Sequence, residues 1–233
     1  MKIRKSKKRG RTNHGWLYSQ HSFSFGHYSD PEWTGVSALR VINEDIIAPS
    51  KGFGLHSHQD VEILTYVLQG ELLHKDSLGN VQRLRAGEVQ RMTAGTGIEH
   101  SEFNASASDP LHFLQIWIQP NQLDLTPSYE DKMFTDAQKY HQWCLLAADD
   151  TQEGALKIHQ DVALYSSKLT ERNQLNYALK KGRKAYLHVV EGAVKLNKQI
   201  LRTGDAALIE DGEAIQIDAL HATELLLFDL PSA

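Results

Sequence analysis

Short apolar or alternating runs of strand length recur along this chain, and turns that contain glycine separate many of them. The runs are rich in Val, Ile, Leu, Tyr and Trp, the residues that fit a pleated, half-buried surface. Helical periodicity is scarce, and residues 121–140 read as an irregular linker with room for one helical turn. This pattern predicts an all-β chain of antiparallel strands with few short helices. The clearest runs in the first half are 36–42, 61–68, 71–74, 81–85 and 111–118.

The second half of the chain repeats a pattern of the first. Residues 66–70 (YVLQG) are similar to residues 188–192 (HVVEG), and a hairpin follows each. A pair of glycine and an acidic residue comes next in both copies, at 87–88 and at 204–205. A repeat of this size predicts two similar antiparallel β-barrels. We expect an N-terminal barrel over residues 1–135 and a C-terminal barrel over residues 136–233.

Two pairs of polar residues stand at strand spacing in the first half. His56 and His58 are two apart, as are His100 and Glu102. Residues i and i+2 of a strand point to the same face. If both segments are strands that face one another, three imidazoles and one carboxylate converge. Zn, Fe, Mn, Ni and Cu all accept such a ligand set.

Glycines surround both pairs, at 52 and 54 before the first and at 95 and 97 before the second. One such histidine pair among 12 histidines would be weak evidence, but two pairs in matching surroundings favour a metal site. Glu62, four residues after His58, has the same parity and is a second carboxylate candidate, either beside the ligands, in an ion pair or as a direct ligand. Other histidines, such as His74 and His112, have no comparable glycines around them, and we interpret them as hairpin or barrel residues.

The second half lacks an equivalent ligand set. An ungapped alignment on Gly192 places Ala178 and Lys180 at the positions of the histidine pair. Alignment on Gly204 places Ile217 and Ala219 at the positions of the other pair. These four residues cannot supply three imidazoles and a carboxylate. We therefore predict one metal per chain, held by the first barrel.

Charge and cysteine content bear on partners and on the compartment. Seven of the first 11 residues are basic, whereas the whole chain has a net charge of −4. An acidic body repels a polyanion, so we interpret this arm as a solvated terminus and expect no nucleic-acid partner. No segment approaches the apolar length of a membrane helix, and no secretory signal is visible. A single cysteine, Cys144, excludes an internal disulfide, and the cytoplasm is the expected location.

Several motifs resemble the pirin family of bicupins. They are GLHSHQDVEILTYVLQG at 54–70, HKDSLG at 74–79 and TAGTGIEHSE at 93–102. Nearer the N-terminus, Phe23-Ser24-Phe25, Tyr28, Asp30-Pro31 and LRVIN at 39–43 are similar to bacterial pirin-like quercetin 2,3-dioxygenases. The resemblance covers nearly the whole chain and is strongest over residues 14–120.

The resemblance implies ligands at His56, His58, His100 and Glu102, usually for iron. Cupins in general take the carboxylate from the first motif, near Glu62, whereas pirins take it from the second, at Glu102. The implied function is a dioxygenase that cleaves a flavonol such as quercetin with O₂, with Fe(II) as the expected metal and Zn, Mn, Ni, Co and Cu as alternatives. In that reaction Glu102 would also act as the base for the acidic hydroxyl.

Two alternatives stay open at this point. One is a non-enzymatic, iron-binding protein with a redox-sensing or regulatory role, which would require a partner protein. The other is a different cupin activity, such as a sugar isomerase, which needs a more polar pocket than a flavonol does. For a flavonol pocket we expect an aromatic lining. We also expect the chain to be a monomer. The aromatic candidates are Phe53, Tyr66, Phe103, Phe113 and Trp117.

Overall fold

The computed structural model describes residues 1–151, 154–210 and 214–232, and nearly all of its regular elements are strands. One 3-10 helix (Ser6–Lys8) and one short α-helix, α1 (Asp136–Lys139), accompany them. The strands up to residue 135 are β1 (Lys2–Arg4), β2 (Gly10–Asn13), β3 (Leu17–His21), β4 (Leu39–Ile47), β5 (Gly52–His58), β6 (Glu62–Gln69), β7 (Glu71–Asp76), β8 (Val81–Arg85), β9 (Glu88–Thr93), β10 (Ile98–Asn104), β11 (Leu111–Ile118) and β12 (Ser128–Met133). Those after it are β13 (Cys144–Ala148), β14 (Leu156–Lys157), β15 (Ala163–Leu169), β16 (Gln174–Tyr177), β17 (Arg183–Glu191), β18 (Ala193–Leu196), β19 (Gln199–Arg202), β20 (Ala206–Glu210), β21 (Ile215–Ala219) and β22 (Thr223–Pro231).

The strands form four sheets, two for each half of the chain. In the first half, a seven-stranded sheet in the order β12-β9-β6-β11-β4-β3-β2 faces a four-stranded sheet in the order β5-β10-β7-β8. In the second half, β1-β20-β17-β22-β15-β13-β14 faces β16-β21-β18-β19. Among the strands named above, every pairing is antiparallel except that of β13 with β14. The predicted all-β architecture of two similar cupin-type halves is confirmed.

Apolar side chains join these sheets into four layers. The largest buried cluster lies between the two seven-stranded sheets, where Ile42 and Leu114 of the first half meet Tyr186 and Phe228 of the second. A second cluster fills the space between the sheets of the second half. Burial of apolar area on this scale is the main source of stability. The four-stranded sheets are therefore the outer layers, and the inside of each half lies between a four- and a seven-stranded sheet.

The internal repeat corresponds to equivalent turns. Gly70 directly follows β6 and Gly192 directly follows β17, and their backbone φ angles are 84° and 90°. This left-handed conformation favours glycine, and a Cβ at Gly70 would lie 2.6 Å from the carbonyl oxygen of Pro110. The similar pentapeptides thus mark equivalent central strands.

Three expectations from the sequence need correction or restatement. The basic arm is not a solvated tail, because Lys2–Arg4 pairs with β20 and Gly10–Asn13 pairs with β3. Residues 121–140 are not all irregular, because β12 pairs with β9 and α1 follows it. The division into 1–135 and 136–233 remains a proposal, and β1 belongs to the sheet of the second half.

Within the described ranges, none of the helices has the length and apolar character needed to cross a membrane.

Candidate metal centre and its cavity

Two neighbouring strands of the outer sheet bring the predicted histidines together. β5 and β10 run antiparallel, with His56 opposite His100 and His58 opposite Ile98. The ring centroids lie 4.4 Å apart for His56 and His100, 4.9 Å for His56 and His58, and 5.1 Å for His58 and His100. One ring nitrogen from each of the three can be chosen so that all lie within 4.8 Å of one another. The three imidazoles therefore converge as the strand spacing predicts.

The state of these imidazoles suits a metal ion. His56 Nδ1 lies 2.7 Å from the carbonyl oxygen of Gly54, which can only accept, so in the neutral ring Nδ1 carries the hydrogen and Nε2 has the free lone pair. His100 is 1% exposed, and neither of its ring nitrogens has a hydrogen-bond partner among the described residues. A buried imidazole without partners is unfavourable, and a metal ion would satisfy it. The donor set thus fits a transition metal.

Burial keeps two of these rings neutral. It lowers the pKa of His58 to about 4, and the charge of His56 adds to this effect. It lowers the pKa of His100 to about 3, with His56 and His58 contributing. Metal binding requires unprotonated imidazole, so at neutral pH these two rings need not lose a proton to bind an ion.

Glu102 lies deeper than the histidines. A register shift between His100 and Glu102 interrupts the pairing of β10 with β5, and the Glu102 side chain is fully buried. Oε1 accepts from Thr65 Oγ1 at 3.1 Å and Gln90 Nε2 at 2.6 Å, and Oε2 accepts from Gln115 Nε2 at 2.8 Å. Burial raises the pKa of Glu102 to about 7 despite these donors. Its carboxyl can therefore hold or release a proton near neutral pH.

A further histidine approaches Glu102. His74 on β7 forms a second group of metal-compatible side chains with His100 and Glu102, again with ligand atoms within 4.8 Å. His74 Nε2 lies 2.9 Å from Asp76 Oδ2, which leaves Nδ1 buried and without a hydrogen-bond partner among the described residues. The two groups share His100. The structure thus places Glu102 with His74 and His100 and does not group it with His56 and His58.

Glu62 does not face the histidines. It is fully buried and accepts from Thr93 Oγ1 at 2.8 Å, and its Oε1 lies 2.8 Å from Nδ1 of His159 in the second half. The equal parity of Glu62 and His58 predicts a shared strand face, but the two residues do not lie on one strand. β5 ends at His58, and the chain turns at Asp60, with φ of 50°, before β6 begins. Glu62 connects the two halves.

A cavity of about 420 Å³ lies beside the imidazoles. His56 and His58 line it, and its walls are mainly apolar and aromatic. Besides these two histidines, its polar lining groups lie on β2, β3, β4 and β11 and in the segments that follow β2 and β3. The other lining residues are Thr12, His14, Trp16, Leu17, Ser19, His21, Phe25, Gly26, His27, Asn43, Asp45, Phe53, Gln115 and Trp117.

The expected aromatic lining is correct in part. Phe53 and Trp117 line the cavity, whereas Tyr66 and Phe113 are buried in apolar clusters and Phe103 lies outside the cavity wall. The sequence reasoning missed the contribution of β2, β3 and the following loop. The only signal for it was the density of aromatic and histidine residues over 14–28.

Comparisons with known proteins agree with this architecture. The family model described as Pirin matches residues 2–118, and one described as Quercetinase C-terminal cupin domain matches residues 145–230. A protein of Escherichia coli (strain K12) named quercetin 2,3-dioxygenase is 48% identical over 229 residues, which is 98% of each chain. A pirin-like protein of Caulobacter vibrioides is 40% identical over 223 residues, covering 95% of this chain and 96% of that protein. The structure of the bacterial pirin YhhW from Escherichia coli in complex with nickel(II) has a TM-score of 0.95 and 46% identity, and the match covers 100% of this chain and 99% of that one.

Two cupin-type halves in one chain, with converging imidazoles inside the first, define a bicupin whose side chains are suited to a metal ion. The family model and the full-length relatives are more specific than the fold. The chain belongs to the pirin family.

Proposed function

We propose that this protein is a metal-dependent dioxygenase that cleaves a flavonol, such as quercetin, with O₂. One divalent metal would be held by the group of His56, His58 and His100, with Glu102 as the fourth ligand from the adjoining group that shares His100. Iron(II) is the metal we propose, and Zn, Mn, Ni, Co and Cu are the alternatives to compare with it. The relatives named quercetin 2,3-dioxygenase and the nickel complex of the Escherichia coli pirin support an oxidoreductase with a divalent ion.

The observation that carries this proposal is the position of the cavity. Its volume of about 420 Å³ lies in the range of small-molecule sites, and it reaches His56 and His58 directly. Trp117 packs edge-on against His58 with ring centroids 5.1 Å apart, so an aromatic wall adjoins the imidazoles. A flat, mostly apolar ring system fits such a wall better than a sugar does, because sugars require many polar partners.

The imidazoles, Glu102 and the aromatic wall would have different roles in the reaction. The imidazoles hold the ion, which when bound supplies Lewis acidity toward a substrate oxygen. Glu102 Oε2 accepts from Gln115 and from no other described residue, so it retains a lone pair for a proton. With a pKa raised to about 7 by burial, this carboxyl is suited to take the proton of an acidic hydroxyl. Trp117 and Phe53 exclude water from the substrate face.

The test is metal analysis together with oxygen uptake on one preparation. The purified protein, loaded separately with Fe(II), Ni(II) and Mn(II), is supplied with quercetin, and both O₂ consumption and loss of the flavonol absorbance are recorded. His56→Ala should lose metal and turnover. Ser57→Ala is the matched control, because Ser57 lies between the two histidines and its side chain is exposed.

The outcomes separate the two functions retained from the sequence. Turnover that depends on metal and is lost in His56→Ala supports the dioxygenase. Stoichiometric metal without O₂ consumption, for every metal and for quercetin, would refute it and would favour the redox-sensing or regulatory alternative. Turnover without bound metal would refute the ligand assignment.

A further inference from the structure

A polar group lies in the cavity wall on β3 and β4, whereas the metal-compatible side chains stand on β5, β7 and β10. β3 and β4 pair so that Ser19 is opposite Asp45 and His21 is opposite Asn43. All four residues line the cavity. On β4 the intervening Ile42 packs instead in the apolar cluster shared with the second half. The sequence thus places polar side chains on the inner face of these strands, where a folding core alone would favour apolar ones.

Most members of this group satisfy one another. His21 Nδ1 lies 2.8 Å from Asn43 Oδ1, and His21 Nε2 lies 2.9 Å from the hydroxyl of Thr12. Asp45 differs, because its side chain is only 3% exposed and its Oδ1 has no hydrogen-bond partner among the described residues. A buried carboxyl oxygen without a donor is costly. Asp45 is therefore the group in this wall that can accept a hydrogen bond from a molecule in the cavity.

Aromatic rings lie between this polar group and the imidazoles. Trp117 contacts His58, with centroids 5.1 Å apart, and its edge meets Phe25 at 5.6 Å. Phe25 in turn lies 5.2 Å from His21. The cavity therefore has an imidazole region, an aromatic wall and a polar region on β3 and β4. A ligand that fills it would be a planar aromatic molecule with polar groups on two different rings.

We propose that Asp45 determines substrate specificity by accepting a hydrogen bond from a hydroxyl on the substrate ring remote from the imidazoles. The substrates preferred by this protein are then flavonols hydroxylated on that distal ring, rather than flavonols whose only hydroxyl is the one to be ionised. This inference rests on the proposed function, since it names the substrate class of the same cavity. The burial of Asp45 should make this substrate preference strong, because a site built to bind a hydroxyl discriminates against analogues that lack it.

The experiment combines a change in the ligand with a change in the protein. Quercetin carries distal hydroxyls, and 3-hydroxyflavone lacks them. Burial raises the pKa of Asp45 to about 7, so the assay is run at pH 8, where the carboxyl is mostly ionised. For the wild type we expect kcat/KM for quercetin to exceed that for 3-hydroxyflavone by about 10- to 100-fold, the range for one hydrogen bond to a charged group. In Asp45→Leu this ratio should fall toward one, mainly through quercetin, and in Asp45→Asn, whose amide oxygen still accepts a weaker hydrogen bond, it should take an intermediate value. Glu99→Gln removes an exposed carboxylate on β10 and should leave the ratio unchanged.

Dissociation constants measured from tryptophan quenching add a readout that does not need turnover, since Trp16 and Trp117 line the cavity. The ratio of the dissociation constants of the two flavonols should change in the Asp45 variants in the same direction as the ratio of kcat/KM values. Equal losses for both flavonols in the two Asp45 variants would overturn the inference and leave a structural role. A wild type without preference in turnover or binding would overturn it as well. If neither flavonol is turned over, the proposed function fails, while coupled binding would still support Asp45 as the recognition group.

Discussion

The arginine at position 4 provides a sharp test of how the halves are held together. Arg4 lies in β1, which belongs to the sheet of the second half, and its side chain is 3% exposed. Its Nε donates to the carbonyl oxygen of Ser22 at 3.0 Å, Nη1 to Asp30 Oδ2 at 2.8 Å and Nη2 to the hydroxyl of Tyr28 at 2.7 Å. These three acceptors belong to the first half. Arg4→Met keeps an apolar stem of similar length and removes all three hydrogen bonds.

The expected loss follows from what the change leaves behind. Breaking a buried ion pair costs about 3–5 kcal/mol, but Asp30 is 23% exposed and water can solvate its carboxylate in part. The carbonyl of Ser22 loses a donor, which adds to the loss. We therefore expect the free energy of unfolding to fall by about 3 kcal/mol, near the lower end of that range. For a chain of 233 residues this corresponds to a decrease in Tm of roughly 6–12 °C.

Urea unfolding followed by tryptophan fluorescence measures this loss. Lys7→Met is the matched control, because it removes a positive charge from the same arm at an exposed position. Surface changes of that kind stay within about 0.5 kcal/mol. If Arg4→Met behaves like Lys7→Met, the arm does not hold the halves together, and the reasoning from burial and hydrogen bonds is refuted.

The remaining predictions concern the metal, the two carboxylates and acid stability. Elemental analysis should give about one metal per chain, and two tightly bound ions would contradict a single centre. Glu102→Gln should reduce metal content modestly and turnover by ~10²–10⁴-fold, whereas Glu62→Gln should lower Tm and leave metal content intact, which analysis of one preparation of each variant decides. Burial tends to raise the pKa of Glu44, but His112 and Arg9 hold it at about 2, below the ordinary 4.5. This depressed pKa contributes about 3 kcal/mol of stability above pH 4.5. The contribution is lost as the pH falls through about 2, so urea titrations from pH 6 to 2 should show a shallower loss in Glu44→Gln, and parallel curves would refute the assignment.

The strands and the histidine cluster could be predicted because both depend on local periodicity. The spacing of two between His56 and His58, and between His100 and Glu102, fixes a shared face once each segment is extended. The structure places these segments side by side in one sheet. Local spacing does not report a register shift, however, and the shift after His100 groups Glu102 with His74 instead of with the first pair.

The N-terminal arm shows what composition cannot reveal. A count of charges treats its basic residues alike, yet Arg4 and Arg9 are buried and Lys7 is exposed. The partners that decide this lie far away in the chain. Arg9 pairs with Glu44 at 2.6 Å, and Lys5 pairs with Asp205 at 2.9 Å. A separation of 35 or 200 residues leaves no periodic signal in the sequence, so only the folded chain identifies these pairs.

The register of the second half refines the comparison of the two halves. β21 pairs with β16 so that Ile217 is opposite Leu175, as His100 is opposite His56 in the first half. The counterparts of the histidine pair are then Leu175 and Tyr177 rather than Ala178 and Lys180, because the ungapped alignment overruns the end of β16. The side chains at these positions belong to or pack against an apolar cluster.

This difference explains why one chain keeps two similar halves. The interior of the first half holds a network of polar side chains, in which Thr65, Gln90 and Gln115 donate to Glu102. One oxygen of Asp45 has no donor within the described part of the chain. Buried polar groups add less to stability than aliphatic packing, and they are costly wherever a partner is missing. The second half fills the equivalent space with aliphatic side chains, and it adds the large apolar cluster that both seven-stranded sheets share. The polar network and the cavity thus lie in the first half, and the second half contributes mainly apolar packing to the chain.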